Sequence, residues 1–151
     1  MKKSARRILA LALSLVLICT LAATVFASTI VRDNDQTTID DVRVDVALEV
    51  DDTTIRAITS ISGNVSTATG VADVGMTYTY CSEDNIRPSY YQTGRRSGTL
   101  FVYEEIRSAS LTKNVGSGYV VIDATAQFVV DVTTPNVTAE YAPDPLHVDY
   151  Y

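Results

Sequence analysis

Between Ile86 and Gly98 the chain carries Arg87, Tyr90, Tyr91, Arg95 and Arg96 with no acidic residue among them. A guanidinium is a rigid fork of donors matched to carboxylates, and a tyrosine combines broad contact area with a directed hydroxyl. Together these two residue types favour recognition surfaces. The chemistry they suggest is binding of an anionic or sugar-rich partner, a cell-surface protein or glycan. The competing reading is a hairpin tip whose arginines stay hydrated or pair with nearby acids.

Catalytic groups are scarce. After residue 27 there is one histidine, His147, and one cysteine, Cys81, far apart in sequence. A nucleophile, its base and an orienting group must lie within hydrogen-bond reach of one another, and nothing in the spacing announces such a set. The adjacent acids Asp51-Asp52, Glu83-Asp84 and Glu104-Glu105 would point to opposite faces of a strand. A glycosidase-type carboxylate pair would therefore have to be assembled by folding. We expect no enzyme and no catalytic residues.

No metal or cofactor is expected either. The run Asp33-Asn34-Asp35-Gln36-Thr37-Thr38-Ile39-Asp40-Asp41 resembles a calcium loop in its oxygen ligands. The sixth position, where such loops want glycine, is Thr38, and the twelfth, where they want glutamate, is Val44. Zinc lacks Cys and His ligands. Cys81, alone in an exported chain, cannot form an internal disulfide. It reads as a half-buried small apolar residue at a strand end, with a Cys81-linked dimer as the other outcome.

The first residues read as a targeting signal. Lys2, Lys3, Arg6 and Arg7 precede an apolar run from Ile8 to Ile18, and Val25-Phe26-Ala27 offers short residues to a signal peptidase. Cleavage after Ala27 makes the protein secreted. The alternative is an uncleaved N-terminal membrane anchor, since Ile8 to Ala27 can span a bilayer. Cleavage removes four cations and no acids, taking the formal charge from −6 to −10. Such an acidic chain is a poor partner for nucleic acid, which is bound by Lys and Arg against phosphates. It is equally poor at general adhesion to anionic membranes.

The elements that must position these residues are strands. From Gly118 to Thr133, Val120, Ile122, Ala124, Ala126, Phe128, Val130 and Val132 occupy every second position, the period of a strand with one buried face. The length predicts a bend or bulge near Ala124 and Ala126. Val42 to Val50 alternates as clearly, and Ile55 to Ile61 follows with the same period. Gly63-Asn64 is expected as a two-residue hairpin loop, leading into a long strand from Val65 to Tyr80. Cys81 to Gly98 is expected as a loop, Thr99 to Ser110 as a strand, and Leu100 to Ile106 as the hairpin partner of the 118–133 strand. Tyr78, Tyr80, Tyr103 and Tyr119 read as rim packing with a wet hydroxyl. Residues 28–41 are expected as an acidic flexible leader with at most a short edge strand at Thr29 to Arg32. Val137 to Tyr141 is a short strand. Residues 143–151 form an extended tail, kept so by Pro143 and Pro145, that could add an edge strand.

These patterns predict one all-β domain, residues 42–142: an antiparallel β-sandwich of seven or eight strands, immunoglobulin-like in the loose sense of two packed sheets. A small β-barrel is the runner-up. The expected role is a non-catalytic extracellular interaction or structural module of bacterial type. A carbohydrate-binding or carbohydrate-acting domain is the alternative, weakened by nine Tyr and no Trp.

Overall fold

The computed structural model describes residues 29–151, so the signal segment and its cleavage site lie outside the described residues. Nine strands follow in order: β1 (Val31–Ile39), β2 (Val42–Val50), β3 (Thr54–Gly63), β4 (Thr69–Ser82), β5 (Gln92–Tyr103), β6 (Ser108–Asn114), β7 (Tyr119–Thr133), β8 (Thr138–Tyr141) and β9 (Leu146–Asp149). They form two antiparallel sheets, ordered β1-β2-β3-β6 and β5-β4-β7-β8, with β9 also on β7. The sheets pack face to face as a β-sandwich and do not close into a barrel. Among the described residues no helix is long and apolar enough to cross a membrane.

The inner faces follow from alternation. Val42, Val44, Val46, Leu48 and Val50 of β2 are buried, and Ala72, Val74, Met76 and Tyr78 of β4 are buried in the same core from the other sheet. On β7 the buried series is Ala124, Ala126, Phe128, Val130 and Val132. Above Ala124 the phase changes. Thr79 pairs with Asp123 but Tyr80 pairs with Val121, so Ile122 is an extra residue in β7. This bulge turns Val121 inward at 0% exposure and leaves Val120 and Ile122 half-buried. The expected irregularity is present, and it reverses the expected face for the first residues of the strand.

Several local expectations are corrected. The acidic leader is a full edge strand: β1 pairs with β2 from Val31↔Val50 to Ile39↔Val42. Its turn is Asp40-Asp41, with φ of 48 and 63, the paired left-handed conformation of a two-residue hairpin of type I′. Gly63-Asn64 is no hairpin, because β3 and β4 belong to different sheets. The chain crosses between them through Asn64–Ala68, burying Val65 and Ala68. Residues 99–110 are likewise two strands, since the chain leaves β5 at Tyr103 and joins the other sheet as β6. The Tyr103 amide donates to the Ile106 carbonyl at this crossing. β7 therefore has β4 as its long partner, not Leu100 to Ile106, and is central in its sheet. The 143–151 tail supplies β9, which pairs with Asp123–Ala126 after the break at Pro143 and Pro145.

Candidate functional site

The segment after β4 is shorter than predicted. Arg87 precedes a single 3-10 turn at Pro88–Tyr90, and β5 starts at Gln92. Gly94, Arg95 and Arg96 are therefore strand residues, a correction to the expected 81–98 loop. The five candidate binding residues do not converge. Tyr90 and Tyr91 are exposed at the turn, and Arg95 lies roughly 14 Å further along the strand at about 3.4 Å per residue. Arg95 pairs in register with Thr77, an exposed position, and Arg96 with buried Met76, so successive arginines project to opposite faces.

Glycine governs what β5 can do on its inner side. A Cβ at Gly94 would fall 2.3 Å from the Tyr78 ring, so only glycine lets Tyr78 bury its ring there. The Tyr78 and Tyr80 rings meet tilted with centroids 6.1 Å apart, Tyr80 meets Tyr119 at 5.7 Å, and the Tyr80 hydroxyl donates to Gln92 Oε1 at 3.0 Å. Tyr119 stays exposed at the rim, whereas Tyr78 is buried in the core rather than at its rim and the Tyr80 hydroxyl is taken up by Gln92.

The outer face of the β5-β4-β7 sheet is different in kind. Register aligns Arg95, Thr77 and Thr125 in one row, Ser97, Gly75 and Gln127 in the next, and Thr99, Asp73 and Val129 in a third. Because Gly75 has no side chain, the middle row is hollow. A cavity of about 350 Å³ lies there, lined by Gly75, Thr77, Ser97, Thr125, Gln127 and both Arg95 and Arg96 among others. Further cavities sharing these residues extend it towards Thr79 and Thr93 at one end and Asp73 and Val129 at the other. The result is a trough along β4. At its Asp73 end, Thr99 Oγ1 donates to Asp73 Oδ1 at 2.8 Å, and Phe101, 61% exposed, sits beside Val71.

Among the described residues, the arginines of the Ile86 to Gly98 segment have no carboxylate beside them. On the other sheet Arg32, Arg43 and Arg56 each have a carboxylate within 4.0 Å. Among the described residues Arg87, Arg95 and Arg96 have none.

One constellation escaped the sequence. β9 carries His147 to the outer face of β7, where Nδ1 lies 2.9 Å from Thr125 Oγ1 and Nε2 lies 3.0 Å from Asp149 Oδ1. The connectivity is that of a nucleophile, base and acid. The side chains of His147 and Asp149 are 49% and 84% exposed, however, and the local amides of β7 serve its ladders to β4 and β9. The cluster ties β9 to β7. Nothing in the sequence shows that the tail pairs there. Among the described residues no three His, Cys, Asp or Glu side chains group as a metal site. Cys81 is fully buried, and burial pushes its thiol up, so a Cys81-linked dimer would require β4 to open.

No known family matches the chain, and no curated protein matches it in sequence.

Proposed function

We propose that this chain is an exported, non-catalytic interaction module that contacts a cell-surface partner through the outer face of its β5-β4-β7 sheet. The observation that carries this reading is Arg95, a guanidinium without a carboxylate partner, standing beside the Gly75 trough. An unpaired Arg at the lip of a concave surface is available for bidentate contacts with a partner's acidic groups. The basic, apolar, short-residue order of the first 27 residues supports export. The hydroxyl and amide lining of the trough favours a glycan over a protein as the contacted group.

The test is retention of the purified protein on cell-wall fractions. Arg95→Ala is expected to reduce retention strongly; Arg96, in register with buried Met76 but also bordering the cavity, is expected to contribute less. No retention of the unmodified chain would refute the proposal, and undiminished retention of Arg95→Ala would move the contact off this face. N-terminal sequencing of secreted material checks export, with Ser28 as the expected first residue.

A further inference from the structure

We infer that the trough over Gly75 binds an acidic glycan, a sugar chain bearing carboxylates, and that Gly75 keeps the trough open. This rests on the interaction module proposed above and names the chemical class of its ligand.

Gly75 lies in the interior of β4, a strand paired on both sides, where glycine is unfavourable because it adds backbone entropy to the unfolded chain and packs nothing. Neither of the usual compensations applies. Its backbone lies outside the left-handed region, and a Cβ there would meet nothing within 4 Å. Gly94, by contrast, is required by the Tyr78 ring, and Gly70 has Ile61 at 3.6 Å. Folding does not ask for glycine at 75. Empty space above the sheet does.

The lining selects the occupant. The amides and carbonyls of β4 are committed to β5 and β7, so a peptide cannot add to this face as a further strand. Recognition must come from side chains, and those present are hydroxyls of Thr77, Ser97 and Thr125 and the amide of Gln127. Each can donate and accept, as sugar hydroxyls do, although the Thr125 hydroxyl already meets His147 Nδ1. Arg95, with Arg96 also bordering the cavity, supplies positive charge in the middle of the trough and fits a carboxylate. The Phe101 end, roughly 20 Å from Arg95 at about 3.4 Å per residue, offers an apolar surface for the C–H face of a sugar ring, next to the Asp73 carboxylate as an acceptor for its hydroxyls. The length suits an oligosaccharide.

Calorimetric titration of the purified protein with oligogalacturonate tests the inference, with a neutral cello-oligosaccharide and a polyglutamate peptide as comparisons. Saturable binding of oligogalacturonate is expected, with weaker binding of the neutral sugar. Gly75→Val is expected to abolish it while melting no lower than the unmodified protein, because valine suits a strand and finds free space. Arg95→Ala, at an exposed position, is expected to weaken it about tenfold or more. Absence of saturable binding, undiminished binding by Gly75→Val, or equally tight binding of polyglutamate would overturn the inference. If Gly75→Val is also retained on cell-wall fractions like the unmodified chain, the interaction module stands and the glycan trough falls.

Discussion

Thr59 buries a hydroxyl without a partner. It is 0% exposed on the inner face of β3, paired with Val46 and Ala109, and its Oγ1 makes no hydrogen bond. A buried polar group that gives up water and gains nothing costs on the order of 1–3 kcal/mol. Thr59→Val keeps the branched shape and removes the hydroxyl, so it is expected to stabilise the domain by ~1 kcal/mol. The midpoint of urea denaturation should rise with an unchanged slope; a lower midpoint would mean that the hydroxyl is satisfied in solution. At this scale the sequence was partly legible. Arg95 could be singled out by its charge, but its separation from Arg96 and from the tyrosines could not be seen until Gly94 to Gly98 was known to be strand. The loop expectation came from glycines that serve packing, at Gly94 and Gly98, rather than chain reversal.

Among the elements, legibility followed the apolar alternation and failed where the inward positions are polar. β2 and the Ala124–Val132 part of β7 read directly from their valines. β1 did not, because its inward residues include Asp33, Asp35 and Thr37, in register with Leu48, Val46 and Val44. Inward charges on an edge strand discourage pairing with another chain, and here they also make contacts: Asp33 Oδ2 accepts from the His147 amide of β9 at 2.9 Å. The β1–β2 turn is bracketed in the same way. The Asp40 carboxylate accepts from Thr134 Oγ1 at 2.6 Å and Asn136 Nδ2 at 2.9 Å, joining the two sheets, and these hydrogen bonds hold it below its ordinary value of 3.8. A depressed carboxyl contributes stability that is present above 3.8 and lost as pH falls through its folded value. Denaturation followed from about pH 5 to about pH 2 is therefore expected to show a steeper acid loss in the unmodified chain than in Asp40→Asn. Asparagine tolerates the left-handed turn, so equal slopes would remove Asp40 from the account. Tyr141 on β8 gives the alkaline counterpart. Burial first, then the Asp35 carboxylate, pushes it up to about 12, so its contribution is full below 10 and lost as pH rises towards 12. Tyr141→Phe is expected to flatten that alkaline decline, and phenolate absorbance should show one fewer late-titrating tyrosine.

The whole molecule is a sandwich whose chain crosses between sheets three times, at Asn64–Ala68, Tyr103–Ser108 and Asn114–Tyr119. The first and third were hidden because their glycines also signal hairpins, the second because it interrupts a run that reads as one strand. Period and turn chemistry are local, whereas the choice between pairing back and crossing over is decided by which sheet completes the core. The inner strands of the second sheet, β4 and β7, hold the longest ladder, from Thr69↔Thr133 to Ser82↔Tyr119. Cys81 lies within it, opposite Val120, fully buried. The thiolate is the reactive form, and burial both hides the sulfur and disfavours ionisation. A thiol reagent can reach it only when β4 separates from β7, an event tied to loss of the core rather than to fraying of an edge. Labelling of the native protein is thus expected to be very slow, to accelerate in parallel with global unfolding as urea is added, and to leave the oxidised protein free of Cys81-linked dimer on non-reducing gels. Rapid labelling without denaturant would show that the Ser82 end of the ladder opens independently, and would make the turn bearing Tyr90 and Tyr91 a separately moving part of the molecule.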